Sequence, residues 1–469
     1  MFGGVGKSAG WATILGTVGF MLSGSVSAKA ADLGGNCCAD LEERVAELEA
    51  TTARKGNRKV SLTVSGWVNE QVLYWNDGTE SNAYVGNNDM ERSRFRFVGE
   101  AKIDKDWSAG YVIELGIRDT KSSGYSQNDD EGGAVGTTVG ILDVRKSAWF
   151  LKSKTYGKFE VGREGSATYH LLDDGNFSNT RLFADAESIP TIGIDGFFLR
   201  VNGGPLSALT WASTMFTPGA TQTPGNGERP DIVRYETPDF KGFSAIAAWG
   251  EDDLWDVAGI YKGEIGDFKV AGRIGYAEYT DKTAGPGSGH CIGITGAVNG
   301  AEAKCKEYGG SGTIMHKPTG LYVYGAFGQK HDDNRFGNGV SPLSLGPNPQ
   351  IDRNDTVWYI QPGIEKKWFA LGNTSIFGTY RNDNNGTRNT FTNVTGLPLA
   401  AGTYYTSGSE VKTWGGGVVQ NIEAAAMDLY LIYSHVDGEF TAINTGNGIA
   451  TKIDVDNMDL VQGGAMIKF

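Results

Sequence analysis

The sequence predicts an all-β fold: a transmembrane antiparallel β-barrel of 16–18 strands, preceded by a short N-terminal periplasmic coiled-coil helix. Three observations carry this prediction. From Lys59 onward, apolar and polar residues alternate with the period of a β-strand, the first thirty residues read as an export signal, and the last strand ends on Phe469. Glycine makes up 69 of the 469 residues and aromatics 11%, which suits many strands joined by tight turns.

Residues 1–30 have the parts of a cleavable signal peptide. Lys7 supplies the positive n-region, "WATILGTVGFML" (11–22) the apolar segment, and "SAKA" (27–30) small residues for cleavage after Ala30. The alternative is a membrane anchor, but this apolar run is short for a membrane span. Export predicts an oxidising compartment and, with no later span-length apolar run, a barrel rather than a helical membrane protein.

Residues 31–58 differ from the rest of the chain. Within them, Cys38, Leu41, Val45 and Leu48 follow the a and d positions of about two heptads, and acidic residues fill the outer positions. A helix this short is marginal alone in water, so the pattern predicts a coiled coil between copies of the chain. The alternative is an amphipathic helix lying on its own barrel.

The segment "ERSRFRFVGEAKID" (91–104) alternates as a strand with two different faces. Arg92, Arg94 and Arg96 share one face, while Phe95 and Phe97 share the other. Nucleic-acid binding is disfavoured because the chain carries a net charge of −13. Closing the sheet satisfies every backbone group, with apolar faces towards lipid and charged faces towards a water-filled lumen. Aromatics near strand ends, among them Trp75, Trp149 and Trp358, would form interfacial girdles.

The connections between strands alternate between short turns and long loops, as in bacterial outer-membrane barrels. Short turns are predicted at 104–106, 154–157, 203–205, 238–242, 264–267 and 422–425, and long loops rich in Gly, Asn and Asp lie between them. This rhythm favours 18 strands, with 16 as the alternative. Cys291 and Cys305 are predicted to form a loop disulfide, and the adjacent Cys37 and Cys38 to pair between chains.

Four features resemble the Gram-negative general porins, closest to the alphaproteobacterial porin family: the signal, "RSRFRFVGEAKI", "YGKFEVGREGS" (156–166) and the final Phe469. The resemblance covers residues 59–469. It implies that "YGKFEVGR" is the fifth strand, that residues 164–195 form a constriction loop folded into the lumen, and that Phe469 is read by the barrel assembly machinery. The 18-strand tally and the coiled coil depart from the usual pattern of this family.

The resemblance implies an outer-membrane porin for passive diffusion of small hydrophilic solutes, with a field across its constriction. The predicted loop carboxylates are Glu164, Asp173, Asp174, Asp185 and Glu187, and the predicted facing cations are Arg92, Arg94, Arg96, Arg145 and Arg163. Net acidity predicts a mild cation preference. The alternatives are a sugar- or anion-selective channel, or a structural protein that tethers the outer membrane to the cell wall.

Other chemistry is not predicted. The five histidines are scattered without a hydrolase or metalloprotease motif, so no enzyme, cofactor or metal is expected, and the Asp/Asn clusters read as surface loops. The expected partners are two further copies in a homotrimer, outer-membrane lipid and lipopolysaccharide, and the assembly machinery. The expected localisation is the Gram-negative outer membrane, with the N-terminal helix in the periplasm.

Overall fold

A computed structural model describes eleven stretches of the chain: residues 59–117, 122–130, 132, 142–187, 191–215, 223–250, 253–281, 303–333, 350–387, 390–393 and 396–469. The predicted signal (1–30), coiled-coil segment (31–58), Cys37, Cys38 and Cys291 therefore lie outside the described residues. Cys305 is buried and disulfide-bonded. In the described part of the chain, no helix combines the length and the apolar character needed to cross a membrane.

One antiparallel sheet of 18 strands makes up the described fold. Its strands are β1 (Ser61–Asn76), β2 (Ser81–Asn87), β3 (Arg94–Lys102), β4 (Trp107–Ile117), β5 (Leu142–Ser153), β6 (Gly157–Arg163), β7 (Asp231–Glu236), β8 (Phe243–Gly250), β9 (Leu254–Ile265), β10 (Phe268–Asp281), β11 (Ala303–His316), β12 (Leu321–Asp332), β13 (Asn354–Phe369), β14 (Gly372–Asn385), β15 (Thr390–Asn393), β16 (Gly402–Ile422), β17 (Met427–Asn444) and β18 (Ala450–Lys468). The helices are short: α1 (Thr191–Ile194), α2 (Trp211–Thr214), and 3-10 turns at Asp89–Glu91, Ser122–Gly124 and Glu423–Ala425.

The sheet closes on itself, because β1 pairs with both β18 and β3. Sixteen of the described strands form this closed wall. The two short strands lie beside it: β2 pairs with β1, and β15 pairs with β16. The wall itself continues from β14 directly to β16. The predicted barrel of 16–18 strands is confirmed, with two short additional strands beside a 16-stranded wall. The predicted turn at 203–205 is wrong as a strand connection, since it lies within a long excursion between β6 and β7.

Side-chain alternation gives the wall two different faces. On β1, Val64, Val68 and Val72 are exposed outward, whereas Asn69 and Gln71 are buried inward. Trp149 and Trp358 are also exposed, at 51% and 41%, as expected for an interfacial girdle. The prediction that Trp75 belongs to the girdle is wrong, because this side chain is only 2% exposed and packs inside the barrel.

The polarity of the wall inverts near one end of β16–β18. Trp414, His435 and Asp459 form a cross-strand row on the outer face. Beyond this row, the outer face carries ion pairs such as Lys412–Glu410 and Lys452–Glu439, and the inner face is apolar. Outward charge is disfavoured in hydrocarbon, so the membrane boundary runs near the Trp414 row and the strands continue into water beyond it.

Candidate functional site

The chain leaves the wall after β6 and returns to it at β7, and residues 164–230 between them are here called the inner loop. It is longer than the constriction loop predicted at 164–195. Its first part, residues 164–187, is fastened along the inner faces of β11–β14 by side chains of the wall. Hydrogen bonds to loop carbonyls come from Ser311 Oγ to Leu171 (2.7 Å), Thr313 Oγ1 to Gly175 (2.7 Å), Gln361 Nε2 to Ala184 (3.1 Å) and Arg381 Nη1 to Ala186 (2.6 Å).

The second part of the inner loop, residues 191–215, forms an apolar plug against the next strands of the wall, β16–β18 and β1. Phe197, Leu199, Trp211 and Met215 pack with buried residues of β1, β2 and β16–β18. Replacing Gly438 by a residue with a Cβ would place that atom 2.7 Å from both Trp211 and Met215, so the glycine permits this close approach. The plug therefore fills this part of the lumen with apolar side chains.

A charged cavity of about 580 Å³ lies between residues 164–182 of the inner loop and the wall strands β3–β10. Its lining is strongly charged, with eight lysine and arginine side chains and six carboxylates. The cations are Arg94, Arg96, Lys146, Lys158, Arg181, Arg234, Lys262 and Arg273; the carboxylates are Glu91, Glu114, Glu160, Glu164, Asp174 and Glu236, with His170 beside them. The cavity is therefore net basic although the whole chain is acidic.

Glu114 organises the wall side of the cavity. Its fully buried carboxylate lies 2.5 Å from Arg96 Nη2, 2.9 Å from Arg145 Nε and 3.6 Å from Arg94 Nη1. Arg96 is directly opposite Glu114 across the β3–β4 ladder, so the sheet register itself forms this pair. Arg94 also stacks over the Trp67 ring at 4.4 Å, which fixes its guanidinium at the cavity.

A β-bulge brings two consecutive basic residues of β5 to the cavity side. The register between β4 and β5 shifts at Glu114 and Leu115, which pair with Lys146 and Val144 and leave Arg145 as the extra residue. Arg145 then contacts Glu114, and Lys146 forms an ion pair with Glu164 at the start of the inner loop. Strict alternation would have turned one of the two cations outward.

The structure does not bring all ten predicted constriction residues together. Arg94, Arg96, Glu164 and Asp174 line the cavity, and Arg145 lies directly behind it. Arg92 is buried and held by Asp89 and by Asp143. Arg163 is exposed on the face of β6 that also carries the outward Phe159, because the two are four residues apart in a strand.

The remaining three predicted carboxylates lie within the inner loop. Asp173 and Glu187 contact His170, whose Nδ1 is 3.1 Å from Asp173 Oδ1 and 2.8 Å from Glu187 Oε2, and Asp185 accepts a hydrogen bond from the Glu187 backbone amide. Burial alone would lower the pKa of His170, but the Asp173 and Glu187 carboxylates raise it well above its ordinary value. Burial and the neighbouring Asp173 and Glu187 charges raise the pKa of Asp185 well above its ordinary value.

Several cavity residues were not predicted from the sequence. Arg234 forms ion pairs with Glu160 and Glu236, and Arg273 and Arg181 both contact Asp174. The signal for Arg234 and Arg273 was present, since each lies on the polar face of an alternating strand. Glu114 gave no such signal, because it stands among apolar residues in "YVIELGI" and only the register with β3 shows its partner.

Comparison with known proteins agrees with this architecture. A family model for Gram-negative porins matches residues 17–469. The structure is similar to the anion-selective porin from Comamonas acidovorans (TM-score 0.52, 15% identity, 87% of this chain and 100% of that chain). It is also similar to in-vitro folded OmpT of Vibrio cholerae (TM-score 0.50, 12% identity, 88% and 99%). A search of curated protein sequences gives no significant match.

Proposed function

This chain belongs to the Gram-negative porin family, and from that premise we propose that its constriction gives small anions an advantage over cations. The chain is an outer-membrane channel for the passive diffusion of solutes. The observation that carries the anion preference is the cavity lining, which has eight basic side chains against six carboxylates. Charges at the narrowest water-filled section act on a permeating ion more strongly than distant surface charges, which salt screens.

This proposal replaces the mild cation preference expected from the net charge of −13. Five of the eight basic side chains are arginines. Arginine keeps its positive charge across the physiological pH range, and its planar guanidinium group forms oriented contacts. Diffusion through such an opening requires no covalent step, and we propose no catalytic role for the chain.

The test is the zero-current potential of single channels in planar bilayers under a KCl gradient. We expect the chloride permeability to exceed that of potassium at 0.1 M salt, with the difference shrinking at 1 M as screening increases. A potassium preference at low salt would contradict the proposal while leaving the channel itself intact.

We further propose that three copies assemble through the part of the wall formed by the short strands β6, β7 and β8. β6, β7 and β8 have only 7, 6 and 8 residues, whereas a strand needs about 9–11 to cross the hydrocarbon layer. Phe159, Tyr235 and Trp249 are exposed on the outer face of this region. A neighbouring copy would cover both the short strands and these rings, because a wall too short for the hydrocarbon layer is accommodated by thinning of the bilayer or by oligomerisation.

Light scattering of the detergent-purified chain, corrected for bound detergent, measures the number of copies. We expect three for the native chain and one for Trp249→Glu, because a carboxylate would have to be buried at the contact. Ile274→Glu, on the outer face of β10, is the matched control and should remain trimeric. Three copies in both variants would place the contact elsewhere on the wall.

The N-terminal segment and the terminal residue have proposed roles in assembly and anchoring. Residues 31–58 would join the copies below the membrane through the Cys38, Leu41, Val45 and Leu48 seam and could tether the envelope. Blebbing after deletion of residues 32–55 would support the tether, and unchanged envelopes would count against it. Phe469, 60% exposed on the outer face, would be available to the assembly machinery.

A further inference from the structure

We propose that His170, Asp173 and Glu187 form a binding site for a divalent transition-metal ion on the inner loop. One donor atom from each residue lies within 4.8 Å of the other two. His170 Nδ1 is 3.1 Å from Asp173 Oδ1 and 2.8 Å from Glu187 Oε2. Ligands of a zinc ion at about 2.0–2.1 Å stand about 3.0–3.4 Å apart, so small side-chain shifts would give a bound geometry.

The donor set favours a transition metal over calcium or magnesium. Imidazole nitrogen is a good ligand for zinc and its neighbours, whereas calcium and magnesium prefer sites made of oxygen alone. Three protein ligands also leave room for water or a passing anion to complete the coordination shell.

The groups around the three residues hold them in place. Arg181 Nη2 lies 3.0 Å from Asp173 Oδ2, which leaves Oδ1 directed at the histidine. Asp185 Oδ1 accepts a 2.8 Å hydrogen bond from the Glu187 backbone amide, and the Tyr169 ring lies 3.8 Å from the His170 ring between centroids. Such supporting contacts orient metal ligands in proteins.

The site is reachable from the lumen. His170 lines the cavity, with a side chain that is 20% exposed, and Glu187 is 15% exposed, while Asp173 lies beneath them at 2%. The His170 backbone has φ of 59°, a conformation that non-glycine residues seldom adopt and that directs this side chain from a tight turn. An ion entering the pore would therefore meet His170 and Glu187 first, with the donor atom of Asp173 within 4.8 Å of theirs.

Zinc titration of the full chain in detergent, followed by calorimetry, tests the site directly. We expect His170→Ala and the isosteric Glu187→Gln to bind one zinc ion per chain fewer than the native protein. His316→Ala is the matched control, because His316 lies at the end of β11, where its Nδ1 contacts Thr319, and it should bind like the native chain. Loss in both site variants supports the proposal, and native stoichiometry in both overturns it.

A second measurement reports the effect on the pore. Zinc brings two positive charges and displaces the proton of His170, so the site gains about one positive charge beside the cavity, and the anion-to-cation permeability ratio at 0.1 M salt should rise about threefold. The rise should be reversed by a chelator and be absent in Glu187→Gln. The calorimetric result does not depend on ion selectivity, so failure of the metal site and failure of the proposed anion preference give separate results.

Discussion

Glu114→Gln provides a quantitative test of the constriction, because one buried carboxylate faces three guanidinium groups there. The glutamine keeps the shape and the ability to accept hydrogen bonds from Arg96 and Arg145. It removes one negative charge, so the excess of cations lining the cavity grows from two to three. The expected consequence is a stronger preference for anions.

The size of the effect follows from Coulomb's law. A unit charge about 7 Å from a permeating ion contributes about 0.6 kcal/mol at the dielectric constant of water. The change acts in opposite directions on the anion and the cation, so their permeability ratio shifts by about 1.2 kcal/mol, which is about sevenfold. At 0.1 M salt, screening over a Debye length of about 10 Å reduces this to about threefold, and at 1 M almost nothing remains.

The assay is the zero-current potential across a KCl gradient at both ionic strengths. Glu423→Gln is the matched control, since this carboxylate is exposed on the turn before β17 and pairs with Lys367. Gel mobility of unheated and heated samples shows whether the barrel is folded, which matters because removing a buried ion-pair partner costs about 3–5 kcal/mol. A folded variant whose selectivity is unchanged at 0.1 M salt would refute the electrostatic account of the cavity.

Three further predictions concern the inner loop and its surroundings. Replacing Arg381 with methionine removes the 2.6 Å hydrogen bond to the Ala186 carbonyl, so open-channel current noise should increase, and native noise would show that other contacts suffice to hold the loop. Trp211→Ala should destabilise the plug by about 3–5 kcal/mol, measured as a lower urea midpoint; an unchanged midpoint would mean that the plug unfolds separately. Burial would raise the pKa of Asp77, but hydrogen bonds from nearby amides and from Arg200 lower it, so its stabilising effect should be full above about pH 5 and be lost as the pH falls below about 4. The difference in unfolding temperature between the native chain and Asp77→Asn should therefore vanish at low pH, and a constant difference would argue against this ion.

Strand alternation determines much of the wall from the sequence. The two-residue period puts Arg94 and Arg96 inward and correctly separates them from Phe95 and Phe97, because successive side chains point to opposite faces. The same rule places Arg163 outward with Phe159, so the sequence alone was enough to exclude Arg163 from the constriction. The predicted fifth wall strand, "YGKFEVGR", corresponds to β6, which is the fifth strand when β2 is left aside.

The parts that could not be predicted depend on register and on tertiary packing. The bulge at Arg145 shifts the pairing by one residue, and nothing in "LDVRKSAWF" distinguishes it from a regular strand. The apolar run that contains Phe197, Leu199 and Trp211 has the composition of a strand pair. It becomes a plug only because β16–β18 present an apolar inner face to it. Propensity is overridden there by burial.

The seam between β1 and β18 has a consequence for how this protein is made. Val68 faces Ile467 across it, and Phe469 exchanges two backbone hydrogen bonds with Gly66. The barrel cannot close until β18 has been synthesised, and pairings between strands this far apart in sequence form slowly. Until the seam forms, the apolar outer face and the unpaired edges of β1 and β18 are exposed, which makes the incomplete barrel prone to aggregation.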